Sequence, residues 1–279
     1  MQGMLYLCAT PIGNLSDVSK RFVDTLNMAD IIACEDTRVT IKLLNHFNIK
    51  KPLTSYHEHN KREKGEYLVN QMKEGKNVVL VSDAGTPAIS DPGEDLVRLC
   101  IENDINVTSI PGCVALINAL ILSGLSTKRF SFEGFLSVNK RHRKEHLESL
   151  KNDAHTMIFY EAPHKLIYTL CDMSQVFGET RKIALVRELT KLHEDIIRCT
   201  LKEAIELFEE QKPRGEYVII IEGKNDDENN EENQWWEELD IKEHVDEYIK
   251  KGQSSKDAIK SVATDRGVPK REIYNEYHK

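Results

Sequence analysis

Four short apolar runs, Leu5–Ala9, Ile31–Cys34, Val78–Val81 and Val107–Ile110, punctuate the first 110 residues. Runs of four or five such positions bounded by turn residues read as strands buried on both faces. Between them the apolar positions recur at helical spacing. Ser16-Asp17 can cap a helix over Val18–Met28, Thr37 starts one over Val39–Phe47, Asn60 leads into Tyr67–Met72, and Asp91-Pro92-Gly93 opens Glu94–Ile101. Strand and helix in alternation predict a mostly parallel sheet covered by helices. After Pro111 a helix over Val114–Leu122 leads to a second set. Its strands are Phe130–Phe135, Thr156–Tyr160, Lys182–Arg187, Asp195–Thr200 and Tyr217–Ile221, and its helices are His142–Leu150, Lys165–Phe177 and Leu201–Gln211. The residues between 187 and 195 are too few for a crossover, so this second sheet is partly antiparallel.

The expected fold class is therefore α/β, with two α/β domains over residues 1–116 and 117–224. Residues 225–234 read as a mobile acidic linker, and residues 235–279 as a small helical segment with helices over Trp235–Lys250, Lys256–Thr264 and Lys270–Tyr277. Helix, Gly267 turn, helix is a helix-turn-helix outline, and a helical cap packed on the body fits the same pattern equally well.

Composition narrows the class. With 279 residues, 40% hydrophobic and 30% charged, the chain is long enough to bury its own core. The longest near-apolar run, Ala115 to Leu122, is far short of the roughly 18 residues of a membrane span, and the N-terminus carries no signal-like pattern. Six scattered cysteines without a CxxC pair read as reduced thiols of a cytoplasmic protein. The net charge of -8 is uneven, because residues 225–279 hold 15 acids against nine Lys and Arg. The body is thus close to neutral, which neither favours nor opposes a nucleic-acid partner.

Ligands of alternating α/β sheets bind beyond the carboxyl ends of strands. Three Gly- and Pro-rich segments occupy such ends: Thr10–Leu15, Ser82–Gly93 and Pro111–Ala115. None is a phosphate cradle of the GxxxxGK[ST] or three-glycine kind. A nucleoside without a pyrophosphate suits them better, with its ribose on Asp83 or Ser90. Glu35-Asp36-Thr37-Arg38 and Tyr56–Asn60 form a dense polar group after the second strand, in which Asp36 could equally be a helix cap. His57 and His59 lack a third ligand at a fixed spacing, so no metal is expected. Lys140–Lys144 is the only compact basic run of the body. It reads either as a phosphate grip, with Lys140, Arg141 and Arg143 as the contacts, or as a solvated helix in which Lys144 pairs with Glu148.

Taken together, the runs from Leu5 to Asp17, Glu35–Arg38, Ser82–Gly93, Phe132–Leu136 and Arg187–Lys191 closely resemble the ribosomal RNA small-subunit methyltransferase I family of the tetrapyrrole-methylase superfamily. The resemblance runs over residues 4–223, and residues 252–279 are similar to the family's helical appendage. It implies an enzyme, dependent on S-adenosylmethionine and usually homodimeric, that methylates the ribose 2′-oxygen of a cytidine in the decoding region of small-subunit (16S) rRNA. Its partners would be the rRNA or the small ribosomal subunit. The implied cofactor contacts, in a cleft between the two α/β domains, are Pro11, Asp83, Ala84, Gly85, Ile89, Ser90, Pro111, Ala115, Tyr160, Ala162 and Thr190. Arg38 and His57 join the basic run as RNA contacts. Strand-end position marks Glu35 or Glu188 as the base, and Lys191 or Arg187 as its cationic partner. Ala88, Val114 and Ser137 depart from the family's usual Gly, Ser and Pro. A porphyrin or corrin methyltransferase and a non-catalytic RNA-binding assembly factor are the competing readings.

Overall fold

The computed structural model describes residues 2–224, Trp236 and residues 239–279. It divides into two compact units, Met1–Gly223 and Lys224–Lys279.

The first unit holds both sheets. Sheet one contains β1 (Leu5–Cys8), β2 (Ile31–Cys34), β3 (Leu53–Ser55), β4 (Val78–Val81) and β5 (Val107–Ile110), all parallel, in the order β3-β2-β4-β1-β5. The strand β3 was not expected from the pattern. Helices α1 (Lys20–Met28) and α2 (Thr37–His46) cover one face through Phe22, Leu26 and Leu44. Helices α3 (Lys61–Lys73) and α4 (Gly93–Glu102) cover the other through Leu68, Met72 and Leu96. With β1 between β4 and β5, the loops that follow these three strands meet on one sheet edge.

Sheet two contains β6 (Phe130–Phe135), β7 (Thr156–Glu161), β8 (Lys182–Arg187), β9 (Asp195–Thr200) and β10 (Tyr217–Ile221), in the order β6-β7-β10-β8-β9. Only β6 and β7 run parallel, so the sheet is mixed as expected. Helix α5 (Ala115–Ser123) straddles the expected boundary at 116 and packs against this sheet, burying Leu116, Ala119 and Leu120 on Ile158, Val186 and Ile220. Helices α6 (Lys140–Leu150), α7 (Leu166–Phe177) and α8 (Leu201–Glu210) cover the opposite face.

Several boundaries differ from the pattern. Ser19, not Ser16-Asp17, caps α1, because Leu15–Asp17 closes a separate 3-10 turn capped by Asn14. Helix α3 starts six residues before Tyr67, where a fully charged first turn leaves no apolar signal and Lys61 is held by Asp95 at 2.7 Å. Helix α6 starts at Lys140, capped by the Asn139 side chain.

The second unit has α9 (Ile241–Lys250), α10 (Ser255–Asp265) and α11 (Lys270–Tyr277) around a core of Val245, Ile259, Val262 and Ile273. Asp240 caps α9 with a reciprocal Glu243 bond, so that helix begins later than the expected Trp235. The expected linker, 225–234, lies outside the described residues. A turn through Gly267 at φ +63° joins α10 to α11, which completes the helix-turn-helix outline.

His244 is fully buried in this unit, between the rings of Trp236 and Tyr248. Arg266 Nε donates to its Nδ1 at 3.3 Å, which requires a neutral ring, and Nε2 lies 3.2 Å from Asp265. Desolvation therefore lowers its pKa below 6.5 despite Asp265. A lowered folded-state pKa means the unfolded chain takes the proton first as pH falls. The stabilisation is complete above pH 6.5 and is lost as pH drops toward the lower folded value. Hydrogen exchange on the full chain should show residues 241–277 losing protection, relative to intrinsic rates, between pH 7.5 and 5. His244→Gln should remove that pH dependence; if the pH dependence persists, His244 is not its origin.

Candidate active site

The three loops on the edge of sheet one are stitched to one another. Thr10 and Gly85 exchange backbone hydrogen bonds at 2.8 and 3.2 Å. Thr86 Oγ1 donates to the Cys113 carbonyl at 3.0 Å. Gly112 approaches Ala9 so closely that a Cβ there would lie 2.9 Å from the Ala9 methyl. Gly85 adopts φ +83°, where a side chain would also press on Ile12. Asp83 Oδ1 accepts from the Asp36 backbone N–H at 3.0 Å, tying in the loop after β2.

The Ser82–Gly93 segment is folded around Asp91. Its carboxylate accepts from Ala88 N at 2.9 and 3.0 Å and from Gly93 N at 2.7 Å. These bonds hold Ala88 and Ser90 at φ +68° and +66°, a left-handed conformation unusual for residues with a Cβ. Burial pushes the Asp91 carboxyl up, against the pull of these donors.

Opposite stands the β8–β9 turn. Glu188 and Thr190 are also left-handed, at φ +49° and +65°. Lys191 Nζ lies 3.1 Å from Glu188 Oε2, and its stem crosses Gly13, where any Cβ would collide with it. The Thr190 hydroxyl is buried beside Gly13 without a hydrogen-bond partner among the described residues.

Between these walls lies a cleft of about 470 Å³. Its lining combines an apolar set, among them Ile12, Ala115, Val186 and Leu189, with Glu35, Asp83, Asp91, Glu161, Glu188 and Glu216. Among the described residues that line the cleft, six carboxyl side chains accompany a single cation, that of Lys191. Glu161 is already satisfied by Ala162 N at 2.9 Å and Thr169 Oγ1 at 2.6 Å. Glu35 has no hydrogen-bond or ion-pair partner among the described residues, and partial burial with Asp83 and Asp91 nearby raises its pKa.

Of the expected cofactor contacts, Asp83, Ala84, Ile89, Ser90, Ala115 and Tyr160 line the cleft, as do Glu35, Glu188 and Lys191. Gly85, Pro111, Ala162 and Thr190 lie outside the lining, in the loops that frame it. Pro11 opens instead on an adjoining cavity of about 260 Å³ with Val39 and Lys42. Arg187 turns away, to within 3.5 Å of Asp195. Asp36 caps α2 and binds Arg38, whose guanidinium holds the Asp36 carboxyl at about 2. His57 is half-buried, with Asn60 Nδ2 at 3.3 Å.

Arg143 corrects the reading of the basic run. Only 13% of its side chain is exposed, paired with Asp172 at 2.7 Å, and it donates to the Ser137 and Val138 carbonyls. Arg141 remains 84% exposed, bonded to Glu145, which is the helical pair in place of Lys144–Glu148. Missed by sequence reasoning were Ile12, Phe135, Val186, Leu189 and Val218, apolar positions indistinguishable from core in the sequence, and Asp91, whose role only the fold displays. Among the described residues no group of three His, Cys, Asp or Glu is arranged to hold a metal ion, and no helix is long and apolar enough to cross a membrane.

The family model of the tetrapyrrole (corrin/porphyrin) methylases matches residues 4–205. The ribosomal RNA small subunit methyltransferase I of Bacillus subtilis is 50% identical over 276 residues, covering 99% of this chain and 94% of the relative. That of Thermotoga maritima is 44% identical over 222 residues, which span 80% of this chain and 99% of the relative. Among solved structures, a uroporphyrin-III C-methyl transferase from Thermus thermophilus, complexed with S-adenyl homocysteine, superposes with a TM-score of 0.57 at 15% identity, covering 79% of this chain and 97% of that one. Such a distant likeness speaks for the fold alone, whereas half-identity along nearly the whole chain speaks for kinship. The chain is a tetrapyrrole methylase by fold family, and within that family it belongs to the ribosomal RNA small subunit methyltransferases I.

Proposed function

We propose that this protein transfers the methyl group of S-adenosylmethionine to the ribose 2′-oxygen of a cytidine in the decoding region of small-subunit rRNA, as a cytoplasmic homodimer. The observation that carries the reading is the charge of the cleft. Six carboxyl side chains against one Lys suit a ligand with a sulfonium and an ammonium, and they repel phosphates. The volume is ordinary for a small-molecule site. The apolar lining suits adenine and a thioether, and the unpartnered Thr190 hydroxyl awaits an acceptor or donor.

The cofactor, when bound, supplies a methyl group on a strong sulfonium electrophile. The chain's own task is alignment and proton handling. Asp83, Ser90 and the backbone of Ala84 and Gly85 bind the nucleoside; Ala115 and Tyr160 close over it. Pro11, Pro111, Ala162 and Thr190 frame that site. Glu35 accepts the proton of the 2′-hydroxyl, and Lys191, held by Glu188, stabilises charge growing on the oxygen. RNA phosphates remain outside the acidic cleft, on Lys140 and Arg141, with Arg38 and His57 on the far rim.

The decisive experiment incubates the protein with S-adenosylmethionine labelled in the methyl group and small ribosomal subunits or naked rRNA, then digests the RNA to nucleosides. Label in 2′-O-methylcytidine is expected; label in a base, or none in RNA while a porphyrin in a parallel incubation is labelled, overturns the reading. Calorimetry with and without chelator should give equal cofactor affinity. Sedimentation should give twice the chain mass.

Replacing Lys140 and Arg141 by Ser should reduce the slope of log affinity against log salt by about 1.4, at about 0.7 per phosphate on single strands. Arg143→Ser should leave the slope alone and loosen the 137–138 loop instead. Equal slope losses for both variants would restore Arg143 to the RNA surface.

A further inference from the structure

Phe135 lines the cleft with 59% of its surface exposed, although a phenyl ring belongs by default in the core. Its position results from one irregularity in β6. Phe132 pairs with Ile158, yet Phe135 pairs with Tyr160, so Glu133 is an extra residue. Side chains alternate along a strand, and a regular β6 would send Phe135 to the face of Met157 and Phe159, under α7 and α8. The bulge reverses this and turns Phe135 to the cleft face, beside Tyr160 at 5.5 Å between ring centroids.

The surroundings secure that arrangement. Gly134, next to the extra residue, takes φ +66°, a left-handed conformation that favours glycine. The displaced Glu133 is held by His146 Nε2 at 3.0 Å. Arg143 anchors the carbonyls of Ser137 and Val138, just beyond. Phe132 packs on the other side of the cluster, 5.0 Å from Tyr160. A bulge, a left-handed glycine and two anchoring pairs thus present an aromatic ring to water, at the mouth of a cleft whose carboxylates repel phosphate. The part of an RNA suited to that spot is planar and uncharged. Five and six residues on, Lys140 and Arg141 offer cations for the flanking backbone.

We propose that Phe135 is the platform on which the base of the target nucleotide stacks, so that the enzyme takes its nucleotide unpaired and turned out of any helix. This rests on the RNA-methylation reading above and adds the conformation of the substrate to it.

Two measurements test it. Phe135→Trp places a reporter at the site, with the wild-type protein as blank for Trp235 and Trp236. With S-adenosylhomocysteine present, single-stranded oligocytidylate should quench the added fluorescence, and the same strand paired with its complement should not. Equal quenching by both, or by neither, overturns the proposal. In methyl transfer to small-subunit RNA, Phe135→Ala and Phe135→Leu should each lose roughly tenfold to a hundredfold in kcat/KM, through KM for RNA. Phe135→Tyr should remain within about threefold, since a planar ring is retained. Cofactor affinity should be unchanged in all three. A Leu variant as active as wild type would mean that only an apolar wall is needed. Lost cofactor affinity would assign the ring to the cofactor. If wild-type protein methylates no RNA, the proposed function itself fails, and the quenching assay still reports on stacking.

Discussion

Glu35→Gln is expected to bind S-adenosylmethionine like the wild type and to slow single-turnover methyl transfer by about a hundredfold or more. A neutral 2′-hydroxyl is a weak nucleophile, and the cleft offers few groups free to accept its proton. Glu161 is saturated by Ala162 and Thr169, Asp91 by backbone amides, and Glu188 is engaged with Lys191. Glu35 and Glu216 are left without a hydrogen-bond partner among the described residues, and the raised pKa of Glu35 brings it closer to the pH at which a base is most effective. The sign of the pH effect follows. The deprotonated form is the active one, so the acid limb of the single-turnover rate should lie above the ordinary glutamate value of 4.5 and vanish in the Gln variant. Lys191→Met should also lose rate with cofactor affinity kept, and Arg187→Met should lose little. If the loss appears in Glu188→Gln and not in Glu35→Gln, the two carboxylates exchange roles. If none of the four variants slows the reaction, alignment alone carries it.

Strands β2 and β4 of sheet one were legible because each is buried on both faces and reads as an unbroken apolar run, and β1 and β5 because apolar residues hold both of their ends. The strand β3 was not, since Leu53–Ser55 is three residues of half-buried, mixed character. The loop set of the site was legible for a chemical reason: Gly and Pro cluster where backbone must turn and approach a ligand. What sequence could not reveal was direction. In Lys140–Lys144 every side chain is polar, and only the fold brings Asp172, 29 residues away, against Arg143 and not its neighbours. Likewise Val186, Val218 and Phe135 are written like core positions. That they face a cleft depends on sheet order and, for Phe135, on a one-residue bulge that no alternation of apolar and polar positions announces.

Asp91→Ala should weaken S-adenosylmethionine binding by about a hundredfold while the chain still folds. Asp91 does not need to touch the cofactor for this. Its carboxylate is the hub of the Ser82–Gly93 segment, bonded to the amides of Ala88 and Gly93. Two residues of that segment, Ala88 and Ser90, are held in the left-handed region, at about 1–3 kcal/mol each. That conformation persists only while its surroundings dictate it, and Gly93 is fitted so tightly that a Cβ would lie 2.7 Å from Asp91 Oδ1. Removing the carboxylate leaves two amides without acceptors and releases the strain, so Ile89 and Ser90 leave the cleft wall. Re-forming the segment around a ligand then opposes binding by about 2–3 kcal/mol, which is roughly thirtyfold to two-hundredfold in affinity. Asp91→Asn keeps one acceptor oxygen and should lose less, about tenfold. Titration calorimetry with S-adenosylmethionine measures both variants, and thermal melting checks that they fold. Wild-type affinity in Asp91→Ala would mean that the Thr10–Gly85 and Thr86–Cys113 bonds suffice to shape the loop, and that the left-handed residues hold their conformation without the carboxylate at their centre.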